Sequence, residues 1–431
     1  MSFSDLFARV VAGIGATMIL ARRWNTVDGV KAYGPRPAIP GPAPQKIPTL
    51  KMPTAHGWPA GRTPSVAPGL RVNAFATGLR HPRQMLVLPN GDVLVAEALG
   101  PSGKPKSAFD LAINVTMRRA GAIGDSANRI SLLRDADGDG VAEIRETLLD
   151  NLNHPFGIAL VGETLYVGHM DGVFAYPFTP GDTRIDAPGR RLSTYKTHGH
   201  WTRNLIVSPD QTKLYVAVGS LSNIADSGMA AEEGRAAIFE IDLATGTERL
   251  FASGLRNPVG MAWEPSTGTL WTVVNERDGL GDETPPDYLT SVLDGRFYGW
   301  PYCYWDRIVD DRVPQDPAIV AKATQPDFAL GGHTASLGLC WLPAGTLPGF
   351  GDGMVIGQHG SWNRSRLSGY RMVFVPFADG RPAGEARDVL TGFLSEDEKL
   401  SYGRPVGTAL RDGAVLLCDD VGDVVWRVSA A

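Results

Sequence analysis

An all-β fold, a six-bladed β-propeller of four-stranded antiparallel blades, is what the sequence predicts. Three observations predict it. A single pattern, apolar strand, polar turn, apolar strand, recurs six times in the same order along the chain. The copies are spaced from 47 residues (Gly157 to Asn204) to 78 (Gly260 to Gly338), the period of a propeller blade with variable loops. Glycine (51) and proline (32) are abundant, which suits short strands and tight turns better than long helices.

The copies begin at Leu79 (LRHPRQMLVLPNGDVLVAEA), Leu152 (LNHPFGIALVGETLYVGH), His200 (HWTRNLIVSPDQTKLYVAVGS), Leu255 (LRNPVGMAWEPSTGTLWTVVNE), Thr334 (TASLGLCWLPAGTLPGFGDGMVIGQ) and Tyr402 (YGRPVGTALRDGAVLLCDD). Their near alternation of apolar residues is that of half-buried strands, and PNG, PDQ, PSTG and RDG are hairpin-turn chemistry. Gln84, Gly157, Asn204, Gly260, Gly338 and Gly407 align across the six units. An open propeller would leave an unpaired edge strand. The strand LRVNAFAT near Leu70 is therefore expected to complete the last blade beside Val424–Val428. Residues 70–431 are read as the propeller, the catalytic domain if the chain is an enzyme.

Two segments precede it. Residues 1–25 hold an apolar stretch, Leu6 to Ala21, interrupted only by Arg9 and closed by Arg22–Arg23. This reads as a membrane anchor or uncleaved export signal, with a cleaved signal or a docking helix as alternatives. Residues 26–69 carry ten prolines from Pro35 to Pro68, which suggests an extended linker tethering the domain at a membrane surface. The expected location is periplasmic, membrane-associated through residues 6–21.

Hydrophobic residues at 43% and charged residues at 20% describe an ordinary globular chain, and a net charge of -5 gives no general attraction for nucleic acid. Cys303, Cys340 and Cys418 are odd in number and lack metal-ligand spacing, so no disulfide framework is implied.

In a propeller the loops at one end converge on the axis. The repeat starts carry His154, His200, Arg203, Arg256, Asn257, His333 and Arg404, which together would line a cationic funnel suited to a polyanion. The segments HGHWTRNLIVSPDQTKLYVAVGS, SGLRNPVGMAW, NERDGLGD, FYGWP and YGRPVG resemble those of the soluble-type quinoprotein sugar dehydrogenases, most closely the L-sorbosone dehydrogenase branch, over most of Leu70–Val428.

That resemblance implies a propeller holding pyrroloquinoline quinone (PQQ) and calcium. It places the catalytic base at His200 and a cofactor-binding pair at Arg256 and Asn257, with Arg256 catalytic as well. A further cofactor-binding arginine falls at Arg404. Calcium falls within Glu276–Asp282, at Glu276, Asp278, Gly279 and Asp282, through backbone carbonyls near Asp278 and Gly279 or through the carboxylates. The chain departs from the glucose enzymes at two points. Ser220 stands where they carry the acid that orients the base. QHGSWNRSR stands where they carry a cofactor lysine, with Arg364 as the substitute and Ser361 and Trp362 nearby. Trp201, Trp300, Tyr302, Tyr304 and Trp305 offer faces for a sugar ring, or equally for packing between blades.

Outside this constellation, Asp135–Glu146 (DADGDGVAEIRE) matches the calcium-loop template, with Asp135, Asp137, Asp139 and a Glu146 at the twelfth place. No EF-hand helix pair flanks it. It reads as a hairpin loop that either binds a structural calcium or is a solvated turn.

The leading expectation is a PQQ- and calcium-dependent dehydrogenase of a sugar or sugar-derived aldehyde such as sorbosone. No CxxCH haem-attachment motif is present, so electrons would pass to a separate cytochrome or quinone. A calcium-dependent propeller lactonase would need calcium alone, without an electron acceptor. A non-catalytic binding propeller would be indifferent to loss of His200.

Overall fold

The computed structural model describes residues 32–44, 49–103 and 108–431. The six-bladed propeller expected from the sequence is found. Blade I comprises Pro82–Val87, Val93–Glu97, Arg129–Arg134 and Ile144–Leu149. Blade II comprises Ile158–Val161, Thr164–His169, Gly172–Pro177 and the short Arg190–Arg191. Blade III comprises Arg203–Val207, Lys213–Val218, Ala237–Asp242 and Glu248–Ser253. Blade IV is built from Pro258–Glu264, Thr269–Val274, Pro286–Val292 and Phe328–Gly332. Blade V is built from Ser336–Leu342, Gly353–Gln358, Arg371–Ala378 and Arg387–Thr391.

Blade VI takes three strands from the end of the chain, Pro405–Arg411, Ala414–Asp419 and Val424–Ala430. Its fourth is Leu70–Ala76, antiparallel to the last, with Val428 opposite Val72 and Ala430 opposite Leu70. The expected closure is thus present. The innermost strand of each blade packs on that of the next, and blade VI returns to blade I.

Strand periodicity explains the core. In Lys213–Val218, Leu214, Val216 and Val218 join the apolar layer toward blade II, whereas Tyr215 and Ala217 join the layer toward blade IV. In blade I, Val93 and Val95 face blade VI while Leu94 and Ala96 face blade II. Side chains alternate sides, and here both sides are buried between blades, so these strands read as continuous apolar runs.

The aligned repeat position marks the tightest packing on the axis. A Cβ at Gly157 would lie 2.4 Å from Leu205 N, one at Gly260 2.7 Å from Leu339 Cβ, and one at Gly338 2.0 Å from Val406 O. Glycine is needed there because the neighbouring blade's backbone occupies the space. At the two positions with a side chain, amides link the blades instead. Gln84 Nε2 donates to Asn204 Oδ1 (3.1 Å), and Asn204 Nδ2 donates to Val259 O (2.7 Å).

The proline-rich segment is extended, yet its described residues lie on the propeller rather than standing off from it. Tyr33–Gly34 adds a fifth strand to blade IV and Ser65–Val66 one to blade V, while Thr54–Ala55 runs parallel to Leu400–Ser401. Trp58 donates from Nε1 to Asp419 Oδ2 (2.7 Å) and meets Phe393 and Trp426 edge to face. Residues between the prolines keep their N–H groups, and the outer edge strands offer unpaired partners. The apolar stretch 6–21 lies outside the described residues, and among those described no helix is long and apolar enough to cross a membrane.

The axial contacts make Gly338→Ala a stringent test of the fold: the added methyl should cost about 3 kcal/mol, the upper end for over-packing, in chemical denaturation, while alanine at exposed Gly345 lies in open space but at positive φ and should cost only about 1 kcal/mol.

Candidate active site

A cleft of about 250 Å³ opens among the loops of blades III, IV and V, lined by residues that include His200, Arg256, Asn257, Glu276, Asp278, Asp287, His333, Trp362 and Asn363. His200 precedes the innermost strand of blade III, Arg256–Asn257 that of blade IV and His333 that of blade V. Glu276 and Asp278 follow the second strand of blade IV. Gly219 brings two of these together, since a Cβ there would meet Asn257 Oδ1 at 2.2 Å and His200 Cβ at 2.7 Å.

His200 Nδ1 lies 2.9 Å from the carbonyl of Ser220. A carbonyl only accepts, so Nδ1 carries the proton and Nε2 is the bare, basic nitrogen. Burial, reinforced by the charge of Arg256, pushes the imidazolium down to about 3, so His200 is neutral in ordinary conditions. The missing acid is therefore replaced by a main-chain carbonyl; the Ser220 hydroxyl oxygen also lies 3.1 Å from Nδ1, and because its own proton goes to Ser222 O (2.7 Å) it too accepts from Nδ1–H.

Arg256 is buried and its donors are spent within the protein. Nε meets Asn223 O (3.1 Å), Nη1 meets Asn275 O (3.2 Å) and Glu276 O (2.7 Å), and Nη2 meets Asn223 Oδ1 (2.9 Å), with Asp278 Oδ2 at 3.5 Å. It braces the acidic loop and presents its charge to the cleft without a free fork. Asn257, by contrast, makes no side-chain hydrogen bond among the described residues, and its buried Oδ1 has no partner. The same is true of Asn363 Oδ1, although Asn363 Nδ2 donates to Asp278 Oδ1 at 2.7 Å.

The cleft is not the purely cationic funnel expected from the repeat starts. Glu276, Asp278 and Asp287 all line it. Burial raises Glu276 to about 7 against the opposing charge of Arg256, and burial likewise raises Asp287. Asp278 is held down to about 2, because His333, Arg256 and Asn363 outweigh its burial. His333 Nε2 donates to Gly281 O (2.9 Å), and its Nδ1 stands 3.3 Å from Asp278; this neighbour raises His333 in spite of burial.

Other expected residues fall elsewhere. Arg364 pairs with Glu283 and donates to Gly332 O (2.9 Å), away from the cleft. Asp282 is buried outside the cleft lining; its Oδ2 accepts from Ser365 N (3.0 Å), while its Oδ1 has no partner among the described residues. The Asp278 carbonyl already accepts from Asn223 Nδ2 and from two nitrogens of Arg277, which leaves it poorly placed as a metal ligand. Gly279, at φ 92°, turns the loop but does not line the cleft. Arg404 sits beside it, donating to His359 O (3.0 Å) and Gly360 O (2.9 Å) and leaving Nη1 without a protein partner among the described residues. Trp300, Tyr304 and Trp305 are buried between blades III and IV, as packing residues. Trp362 is 39% exposed at the mouth. Arg203 is fully buried, its guanidinium turned to the carbonyls of Lys196, His200 and Thr202.

Asn223, Asp287 and Asn363 have no counterpart in the sequence reading. Asp287 alone left a signal, a charge inside an apolar strand. Asn223 ties blade III to the acidic loop, accepting from Asp278 N (2.8 Å) as well as Arg256.

The second acidic loop is a hairpin loop between Arg129–Arg134 and Ile144–Leu149. Asp135, Asp137, Asp139 and Glu143 gather ligand atoms within 4.8 Å of one another. Glu143 takes the place expected of Glu146, which is already in the strand, opposite Leu132. The strand begins too early for a twelve-residue loop. Backbone N–H groups at Gly138, Asp139 and Gly140 occupy several of these oxygens.

Fold and site together define a six-bladed propeller with a mixed-charge cleft at one end of its axis, holding a neutral histidine with one bare nitrogen. Comparison with known proteins makes this more particular. The TrAA12-like family model matches residues 125–315. A PQQ-dependent sugar dehydrogenase of Hypocrea jecorina is 26% identical over 270 residues, 56% of this chain but only 57% of that protein. An uncharacterized protein of Borreliella burgdorferi is 27% identical over 301 residues, 65% of this chain and 77% of its own. A calcium structure of the Trichoderma reesei family AA12 enzyme matches with a TM-score of 0.70 at 21% identity, covering 85% of this chain and 97% of that one, a likeness of fold. The resemblance read from the sequence thus holds for PQQ-dependent sugar dehydrogenases as a class, without singling out the sorbosone branch.

Two measurements check this geometry. Asn223→Ala should cost about 1–3 kcal/mol in denaturation, because it strands donors of Arg256 and Asp278. Glu276 is raised in the fold, so it favours the folded state at low pH and this contribution is lost as pH rises through about 7. In metal-free protein, Glu276→Gln should therefore gain thermal stability over wild type as pH rises through 7, with no such gain below the ordinary glutamate range.

Proposed function

We propose that this protein is a PQQ- and calcium-dependent dehydrogenase that oxidises a sugar or sugar-derived aldehyde, of aldose or L-sorbosone type, to the acid or lactone. The observation that carries the reading is the bare Nε2 of His200 facing a cleft whose Asn257 and Asn363 oxygens lack partners. The kinship with PQQ-dependent sugar dehydrogenases supports the cofactor and the substrate class.

The donor set fits an anionic cofactor together with a divalent cation better than either alone. Three carboxylates facing the cleft would repel a tricarboxylate, and a hard cation among them and the unpartnered amide oxygens would remove that repulsion. Glu276, Asp278, Asp287 and Asn363 would hold calcium; Asn257, Arg404 Nη1 and the exposed face of Trp362 would hold PQQ. When bound, PQQ supplies a two-electron acceptor and calcium a Lewis acid. His200 Nε2 would take the hydroxyl proton of the alcohol, hydrate or hemiacetal as hydride leaves its carbon. Arg256 would keep the acidic loop in register, so its catalytic part is electrostatic. Electrons would pass on to a separate cytochrome or quinone, and residues 6–21 would hold the domain on the periplasmic side of a membrane.

Chelated protein loaded with PQQ and calcium should turn over aldoses or sorbosone with an artificial electron acceptor, and His200→Ala should lower kcat by roughly 10²- to 10⁴-fold with PQQ still bound. Absence both of an absorbance change on PQQ addition and of turnover would reject the proposal, and lactone hydrolysis with calcium alone would replace it.

A further inference from the structure

Arg235 was not among the residues that sequence reasoning brought to the site, and it does not line the cleft. It is 5% exposed and has no carboxylate partner among the described residues. All its hydrogen bonds go to main-chain carbonyls: Nε to Gly219 (2.6 Å), Nη1 to Lys196 (2.6 Å), and Nη2 to His200 (2.8 Å) and Ser220 (2.9 Å). A buried cation satisfied only by carbonyl dipoles is costly unless the dipoles are held in place for it. The carbonyls it gathers belong to the two segments that meet at His200. Ser220 O accepts from three donors, His200 N (3.1 Å), His200 Nδ1 (2.9 Å) and Arg235 Nη2.

We propose that Arg235 is a positioning residue that fixes His200 as its Nδ1–H tautomer by aiming the Ser220 carbonyl at Nδ1, leaving Nε2 bare. It takes over the part that a carboxylate would play, with opposite charge. A carboxylate beside Nδ1 stabilises the imidazolium with a full charge, whereas the Ser220 carbonyl raises the ring's basicity too little to offset burial and the charge of Arg256, so it orients the ring and leaves it neutral. The charged groups facing His200 are Arg256 from blade IV, Asp278 from the acidic loop, and Arg235 itself, and their balance together with burial keeps the ring neutral. Arg203 on the ring's own loop bonds the His200 carbonyl (2.9 Å) and steadies the backbone.

The catalytic meaning of this device depends on the dehydrogenase reading; the tautomer does not. Nitrogen-15 NMR of the imidazole in the full chain, without cofactor and with the signal assigned through His200→Ala, separates the two. The wild type should show a protonated Nδ1 and a bare Nε2 at neutral pH. Arg235→Met, folded by circular dichroism, should show mixed tautomers and a His200 that titrates closer to an ordinary histidine. In the loaded enzyme the same change should lower kcat by roughly 10- to 100-fold and move the acid limb of kcat/KM to higher pH, with Arg235→Lys restoring part of both. Ser220→Ala keeps the carbonyl and should leave the tautomer unchanged. A wild-type His200 protonated on Nε2, or an Arg235→Met variant with the wild-type tautomer, would overturn the proposal. Lack of turnover with every sugar would instead count against the dehydrogenase reading alone.

Discussion

Six inner strands pass side by side around one axis, so closely that in several places no side chain fits between them. That constraint governs the rest of the molecule. It demands glycine at Gly157, Gly260 and Gly338, it turns Gln84 and Asn204 into links across the axis, and it forces each strand entry toward a common centre. The cleft is a product of this crowding. Residues far apart in the chain, such as His200 and Asn257, come together because Gly219 leaves no side chain to part them.

Around the cleft, arginines do structural work of an unusual kind. Arg203, Arg235 and Arg256 collect main-chain carbonyls from loops that have no ladder of their own. One guanidinium offers five donors in a rigid fork, enough to hold two or three loop segments at once. The cost of burying the charge is offset by dipoles that would otherwise lack partners. The outcome is a rim of irregular chain whose carbonyls are gathered by buried guanidinium groups instead of a strand ladder.

The fold was legible because alternation and turn chemistry repeat, and repetition survives variable loops. Closure by Leu70–Ala76 followed from the edge-strand argument alone. The site was legible where residues sit at strand ends: His200, Asn257, Glu276 and Asp278 meet in the cleft. It was not legible where a side chain's direction decides its part. Arg364 lies in the right loop but turns to Glu283, and Asp282 lies outside the cleft lining with only Oδ2 engaged among the described residues, by Ser365. Arg256 was read as a cofactor fork, yet its donors are spent on the chain. Asn223 and Arg235 come from irregular segments with no periodic signal, and only their spatial neighbours reveal them. The Asp135 loop shows a similar limit: the template counted residues, while the start of the strand at Ile144 decided that Glu143 faces the cluster.

The segment ahead of the propeller reaches the rim as well. Ala43 N bonds Leu280 O (2.8 Å), Thr284 Oγ1 bonds Pro40 O (3.1 Å) and Lys51 N bonds Trp362 O (2.9 Å). Trp58 meanwhile rests on Asp419 and Trp426, near the other end of the sequence. During synthesis these early residues emerge well before their partners, and blade VI keeps an open edge until Val424–Ala430 has left the ribosome. The rim contacts can form once Trp362 has emerged, whereas the ring's seam waits for Val424–Ala430, so in chain growth the cleft's lining precedes the closure that locks the blades around it.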